Sequence, residues 1–148
     1  MMLNEKLSEA VAVLAVIPPS AQAPGVVFGP WIELNEADRL LAILQVGTFG
    51  ANATVDASIA QAQDASGTNA KPIGAGKTVA LTAAMGHNVQ ATLDVATADL
   101  DSANGFAFVQ LGVSVGVAAT ETAAVILGGS SRYEPAGSFN AASVVAAV

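Results

Sequence analysis

The segment Phe106–Pro135, FAFVQLGVSVGVAATETAAVILGGSSRYEP, decides the fold. From Val109 every second residue is apolar (Val109, Leu111, Val113, Val115, Val117), while Gln110, Gly112, Ser114 and Gly116 take the alternate positions. A period of two marks a strand, because successive side chains point to opposite faces. Ala118–Thr122 reads as a turn. Ala123–Leu127 is a continuous apolar run closed by Gly128-Gly129, the pattern of a strand buried on both faces. Two such strands are only marginally stable in water, so the rest of the chain must supply others to cover them.

Working outward from that pair, Val89–Val95 alternates Val89, Ala91, Leu93 and Val95 inward against Gln90, Thr92 and Asp94 outward. Thr78–Thr82 is a weaker strand, and Asp64–Lys77, DASGTNAKPIGAGK, is turn-forming throughout and reads as a surface loop. Thr54–Gln63 alternates Thr54, Asp56 and Ser58 against Val55, Ala57 and Ile59, a strand with one wet face. Leu40–Val46 is nearly all apolar and reads as a central strand. Val26–Leu34 sets Val26, Phe28, Ile32 and Leu34 on one face and is interrupted by Pro30, which suits an edge strand or a bulge. Val11–Ile17 reads as a strand or an extended arm, with a short helix over Ser8–Leu14 as the alternative.

Seven or eight strands without a long amphipathic helix point to an all-β protein, an antiparallel β-sandwich or barrel. Eight strands with long connections fit a jelly roll best, with extended terminal arms. The expected division is 1–25 as N-terminal arm or first strand, 26–135 as the β-sandwich domain and 136–148 as C-terminal arm.

Composition narrows the function. Of the 148 residues 53% are hydrophobic and only 11% charged, against roughly 25% charged in an ordinary soluble domain. A lone subunit with so few charges exposes apolar patches, which mark interfaces. A formal net charge of -7 repels phosphate backbones and argues against nucleic acid as a partner. With no cysteine, disulfides and thiolate metal sites are excluded. Ala21-Gln22-Ala23 looks like a leader cleavage box, but Glu5 and Glu9 outnumber Lys6 ahead of it and Pro18-Pro19 interrupts the approach, so a processed leader is not expected. The apolar run Ala10–Ile17 is too short to span a membrane.

No motif announces a reaction. Gly74-Ala75-Gly76-Lys77-Thr78 resembles the end of a phosphate-binding loop, but Lys71 stands where the first glycine belongs. His87 is the single histidine and reads as a turn residue beside Gly86. Asp99 and Asp101 could form a carboxylate pair, or a cation site with Asn104, yet they sit in a connection where carboxylates commonly cap turns. Asn52-Ala53-Thr54 matches a glycosylation acceptor, a frequent coincidence. Trp31, Tyr133 and Phe139 could make an aromatic platform for sugar, although core or interface anchoring suits them better. No catalytic, cofactor-binding or metal-binding residues are expected, and the chain is not expected to be an enzyme.

Thr54–Thr68, TVDASIAQAQDASGT, followed by Asn104-Gly105-Phe106 and by Ala124–Ala136, AVILGGSSRYEPA, resembles a family of small head proteins of tailed bacteriophages. These are encoded beside the major capsid protein and include capsid cement or decoration proteins. The resemblance implies a structural virion protein on the outside of the head, with the major capsid protein and its own copies as partners, most simply as a trimer. Its expected location is the capsid surface. A carbohydrate-binding jelly roll for adhesion, or another head or neck component, is the alternative. The expected partner contacts are the apolar ends: Leu3, Leu7, Val11 and Val13 at one, Val144, Val145 and Val148 at the other.

Overall fold

In the computed structural model the described residues are 6–35 and 37–131. A short helix α1 (Leu7–Ala10) leads into nine strands: β1 (Ala12–Gln22), β2 (Gly25–Phe28), β3 (Ile32–Glu33), β4 (Ala37–Val46), β5 (Thr54–Ala62), β6 (Lys71–Thr82), β7 (Val89–Ala96), β8 (Phe108–Gly116) and β9 (Thr120–Ser131). One sheet, A, has the order β1-β9-β4-β7; the other, B, has the order β2-β8-β5-β6, with β3 also on β8. All pairings are antiparallel.

The order follows from one nested arrangement. β5 pairs with β6, β4 with β7, β2 and β3 with β8, and β1 with β9, so each pair encloses the one before it. Curling this ribbon brings β9 against β4 and β8 against β5 and closes two sheets over one core. With β2 and β3 taken as one strand broken around Pro30, this is the eight-stranded jelly roll that the alternation implies. Proline removes a ladder donor, which an edge strand tolerates.

The core is built by the period-two rows. Val109, Leu111, Val113 and Val115 of β8 and Leu40, Ala42, Leu44 and Val46 of β4 are all buried, with Val55, Ala57 and Ile59 of β5 and Leu93 and Val95 of β7 beside them. At the corner where β1 leaves sheet A for sheet B, buried Gln22 ties the layers together. Its amide donates to the Val113 carbonyl at 3.0 Å, and its oxygen accepts the Thr122 hydroxyl at 3.0 Å. A buried amide is tolerated only when so satisfied.

Three expectations are corrected. β8 and β9 are not a hairpin pair: they lie in opposite sheets, and residues 117–119 cross between them. The crossing forces Val117 to φ 74°, an unfavourable conformation for a β-branched residue. The Asp64–Lys77 loop ends at Ala70, because β6 starts at Lys71; its glycines serve a wide bulge in which Ile59 pairs with Lys77 and Ala60 with Pro72. Gly74 (φ 55°) and Gly76 (φ 107°) take backbone conformations open to glycine, and the loop so formed tucks Ile73 into the core. Val26 and Phe28 do not share the buried face of Ile32 and Leu34. The break at Pro30 uncouples the two halves, and Val26 and Phe28 stand 53% and 63% exposed.

At the start of the chain, of the two readings left open, strand or extended arm, the strand is the one found. Residues 12–22 are a strand on β9 rather than an arm, and Ala12, Leu14, Ala15 and Ile17 are buried. Leu14 packs on Gly128 so closely that a Cβ there would lie 2.9 Å from its methyl carbon. The short helix covers Leu7–Ala10 only. The C-terminal arm expected over 136–148 lies outside the described residues.

Two outcomes test this architecture. Deleting residues 1–11 leaves a cooperatively melting β-rich domain, whereas deletion through Ile17 abolishes the cooperative transition, as read by circular dichroism. Val117→Asn, which tolerates a left-handed backbone, raises stability by about 1 kcal/mol in urea titration; no gain would mean that the turn carries no strain.

Candidate functional site

At the end of the sandwich where β5 turns into β6, the polar side chains are occupied with each other. Asp64 accepts the backbone N–H groups of Ser66 and Thr68 and the Thr68 hydroxyl, closing the turn. Lys71 pairs with Asp101 and lies 4.1 Å from the centre of the Phe106 ring. Asn104 donates to both Asp101 oxygens, and Gln61 links the Asp101 N–H to the Pro72 carbonyl. Asp99 accepts the Ala96 N–H at 2.9 Å, with Lys77 at 3.7 Å.

These contacts decide among the sequence motifs. Asp99 and Asp101 each face a lysine, and Asn104 turns its NH₂ group to Asp101. Among the described residues no group of three or more His, Cys, Asp or Glu converges on a common point. Lys77 and Thr78 lie within β6, without the helix that a phosphate loop requires. His87 accepts the Phe49 N–H on Nδ1 at 3.0 Å and so fixes a turn. Trp31 packs on Gly67, where a Cβ would lie 2.8 Å from the indole nitrogen; Tyr133 and Phe139 lie outside the described residues.

The outer surfaces differ sharply. Sheet B turns Asp56, Ser58 and Thr78 to the outside on β5 and β6, while on β2 exposed Val26 and Phe28 lie beside Ser114 and buried Gly112. Sheet A carries aliphatic rungs there: Val16–Val125–Ile43 and Val13–Leu127–Leu41 run straight across β1, β9 and β4. All six side chains are half-buried, and no further layer of described residues covers them. Beyond these rungs, small residues Ala123 and Gly47 open a trough of about 560 Å³ walled by Gln45, Asn88, Gln90 and Glu121. Glu121 accepts the Thr48 N–H, while the three amide side chains make no hydrogen bond within the described chain.

A third surface is the edge of β2, which pairs with no other strand among the described residues on its outer side; all four residues are exposed and Val26, Val27 and Phe28 are apolar. The ring of Phe28 covers Gly112, so that a Cβ there would meet it at 3.0 Å. Of the expected contact residues, Val13 lies in the sheet A rungs, half-buried Val11 lies beside Leu41 and Leu127, and Leu7 is exposed on α1. Leu3, Val144, Val145 and Val148 lie outside the described residues. Pattern reading missed the sheet A rungs because it assigned Ala123–Leu127 to burial on both faces.

Three carboxylates sit below their ordinary value of 3.8: Asp101 through the Lys71 hydrogen bond and then Asn104, Asp64 through the Thr68 hydroxyl, and Asp99 through the Ala96 N–H. A depressed folded pKa gives stability that is present above the unfolded value and lost as pH falls through the folded one. The urea midpoint therefore holds from pH 7 to about 5 and declines below about 4. Asp101→Asn and Asp64→Asn, which cannot titrate, lower the midpoint at pH 7 and flatten the acid decline. Parallel pH profiles for variant and wild type would contradict these assignments.

No protein-family model matches the chain, and no curated protein matches it in sequence. Among solved structures, the CBM22-2 xylan-binding domain of Paenibacillus barcinonensis Xyn10C is similar at 6% identity, over 78% of this chain and 90% of its own, with a TM-score of 0.40. The xylan-binding module CBM15 is similar at 11% identity over 87% and 96%, with a TM-score of 0.36. A chain of black queen cell virus is similar at 8% identity over 93% and 66%, with a TM-score of 0.39. At these levels the likeness is one of general architecture and assigns no role.

Proposed function

We propose that this protein is a structural virion subunit, a cement or decoration protein that binds the outer surface of a tailed-phage head and has no reaction of its own. The observation that carries the reading is the aliphatic outer face of sheet A. Ala123–Leu127 has the composition of a strand buried on both sides, yet the described chain buries only one. We take the second cover to be a partner, and the major capsid protein is the one that the phage-head resemblance implies. An apolar centre bordered by unpartnered amides is the usual anatomy of a protein interface. Four strands about 4.8 Å apart and about 30 Å long present roughly 600 Å², less than the ~800 Å² that each partner gives to a standard interface and of the size of a small one. The resemblance further implies self-association, which we take to be trimeric.

Ile43→Asp or Val125→Asp tests this reading. Both side chains lie on the outer face, so the fold survives with a loss of about 1 kcal/mol or less, while attachment to heads lacking the protein weakens at least about tenfold (~1.4 kcal/mol). Wild-type attachment of both variants would refute the assignment of this face. Light scattering at micromolar concentration shows a trimer; a monomer there and on the particle refutes the oligomeric state.

The trough beside the rungs supports the second reading, adhesion to carbohydrate. Planar amides without a neighbouring cation suit hydroxyl groups of a neutral glycan and disfavour anionic ones. A glycan array with wild type and Gln45→Ala/Gln90→Ala decides it: signal lost in the double variant supports the trough, and no signal in either rejects it.

A further inference from the structure

We infer that the trough at the end of sheet A seats one arginine side chain of the partner that covers the aliphatic rungs, with Glu121 as its counter-charge. This rests on the head-binding reading above and names the polar anchor that accompanies the apolar contact.

The first observation is how Glu121 is held. Its side chain lies across Gly47, where an added Cβ would stand 2.7 Å from Oε2 and 3.2 Å from the Glu121 Cβ. Only a residue without a side chain leaves the carboxylate that bed. Oε2 accepts the Thr48 N–H at 3.1 Å, and Oε1 has no hydrogen-bond partner among the described residues. The carboxylate is therefore fixed by one oxygen and open at the other.

The distribution of positive charge is the second observation. Lys71 pairs with Asp101, Lys77 lies 3.7 Å from Asp99, and the charge of Arg39 is felt at the same Asp99. Lys6 precedes α1, and Val11 just after that helix lies beside Arg39 and Gly129. The described cations are thus gathered toward the end of the sandwich where β4 begins. Gln45 lies six residues along β4 from Arg39, about 20 Å at roughly 3.3 Å per residue, well beyond a Debye length of about 8 Å at physiological salt. Among the described residues, none of the cations answers Glu121.

The third is position. Ala123 and Gln45 are each two residues, about 7 Å, along their strands from Val125 and Ile43 and share their outer face. A partner seated on the rungs overhangs the trough, and what it carries there must suit a carboxylate. The amides of Gln45, Asn88 and Gln90 make no hydrogen bond within the described chain, so their oxygens can turn toward a donor. A guanidinium offers several N–H groups in a rigid fork that matches a carboxylate, and it sheds water more readily than an ammonium. Arginine is also enriched at protein interfaces while lysine is depleted. The formal net charge of -7 favours encounter with a basic surface in the same sense.

Attachment of Glu121→Gln to heads lacking the protein tests the pairing. The glutamine oxygen can still accept the Thr48 N–H, so the melting curve matches wild type. Attachment weakens about threefold to tenfold, and its dependence on salt flattens. Wild-type attachment and salt dependence of Glu121→Gln, beside failure of Ile43→Asp to attach, overturn the trough assignment and leave the head-binding reading standing; wild-type behaviour of both variants overturns both. A second measurement uses the purified protein alone. N-acetyl-arginine amide, N-acetyl-lysine amide and N-acetyl-norleucine amide are titrated into isotope-labelled chain. The side-chain amide signals of Gln45, Asn88 and Gln90 move most with the arginine probe, and the movement is lost in Glu121→Gln. No movement, an equal response to norleucine, or a stronger response to lysine overturns the proposal. A glycan-array signal that Gln45→Ala/Gln90→Ala removes gives the trough to sugar and also overturns it.

Discussion

The inward rows of β4 and β8 are the constraint on which the rest depends. Leu40, Ala42, Leu44 and Val46 press against Val109, Leu111, Val113 and Val115, and every other strand is placed by pairing with one of these or with its neighbour. A slip of one residue in either strand would expose its whole row, so the register is fixed by burial. The partners are far apart in sequence: Ala12 meets Gly128 and Val46 meets Val89. Such a nest pays loop-closure entropy before its contacts form, so folding is expected to be slow among domains of this size. The corner at Gln22 shows the same economy, with one buried amide joining β1, β8 and β9.

The alternating strands were legible because alternation and burial are the same fact seen twice. Val55, Ala57 and Ile59 against Asp56 and Ser58 define β5, and Leu93 and Val95 against Thr92 and Asp94 define β7. What failed had a physical cause in each case. The glycines and Pro72 that mark Asp64–Lys77 as loop serve a bulge inside β6, which propensity alone cannot distinguish from a turn. β8 and β9 sit side by side in sequence but in opposite sheets, because a jelly roll pairs strands across the ribbon rather than along it. Val26 and Phe28 share their apolar character with Ile32 and Leu34, yet the break at Pro30 leaves them on water.

Legibility of the candidate surfaces was more uneven. Asp99, Asp101, His87 and Gly74–Thr78 were visible as letters with chemical meaning, and the structure gives each of them local work in a turn or a bulge. The sheet A rungs left a different trace. Val125 and Leu127 were read as buried on both sides, an environment that the described residues do not provide. The sequence pattern therefore contained the apolar outer face without its location, because register across β1, β9 and β4 is needed before Val16, Val125 and Ile43 can be seen to form one row.

The same logic explains why charge is so sparse. A sandwich that faces water on both sides places polar residues at most outward positions; sheet B does so at Asp56, Ser58 and Thr78 though not at Val26 and Phe28, and sheet A carries its aliphatic rungs there. If sheet A were a solvated face, its six aliphatic side chains would each forgo up to roughly 1.5–3 kcal/mol of burial. Association must offset lost translational and rotational freedom of about 4–15 kcal/mol. Six half-buried side chains can supply only part of that, so on the proposed reading the face alone would give weak docking. A second contact that ties copies together multiplies the effect, because each further contact in a linked assembly forms at high effective concentration. The exposed apolar residues of β2 and the aliphatic rungs of sheet A lie in different sheets, so no single partner surface need cover both.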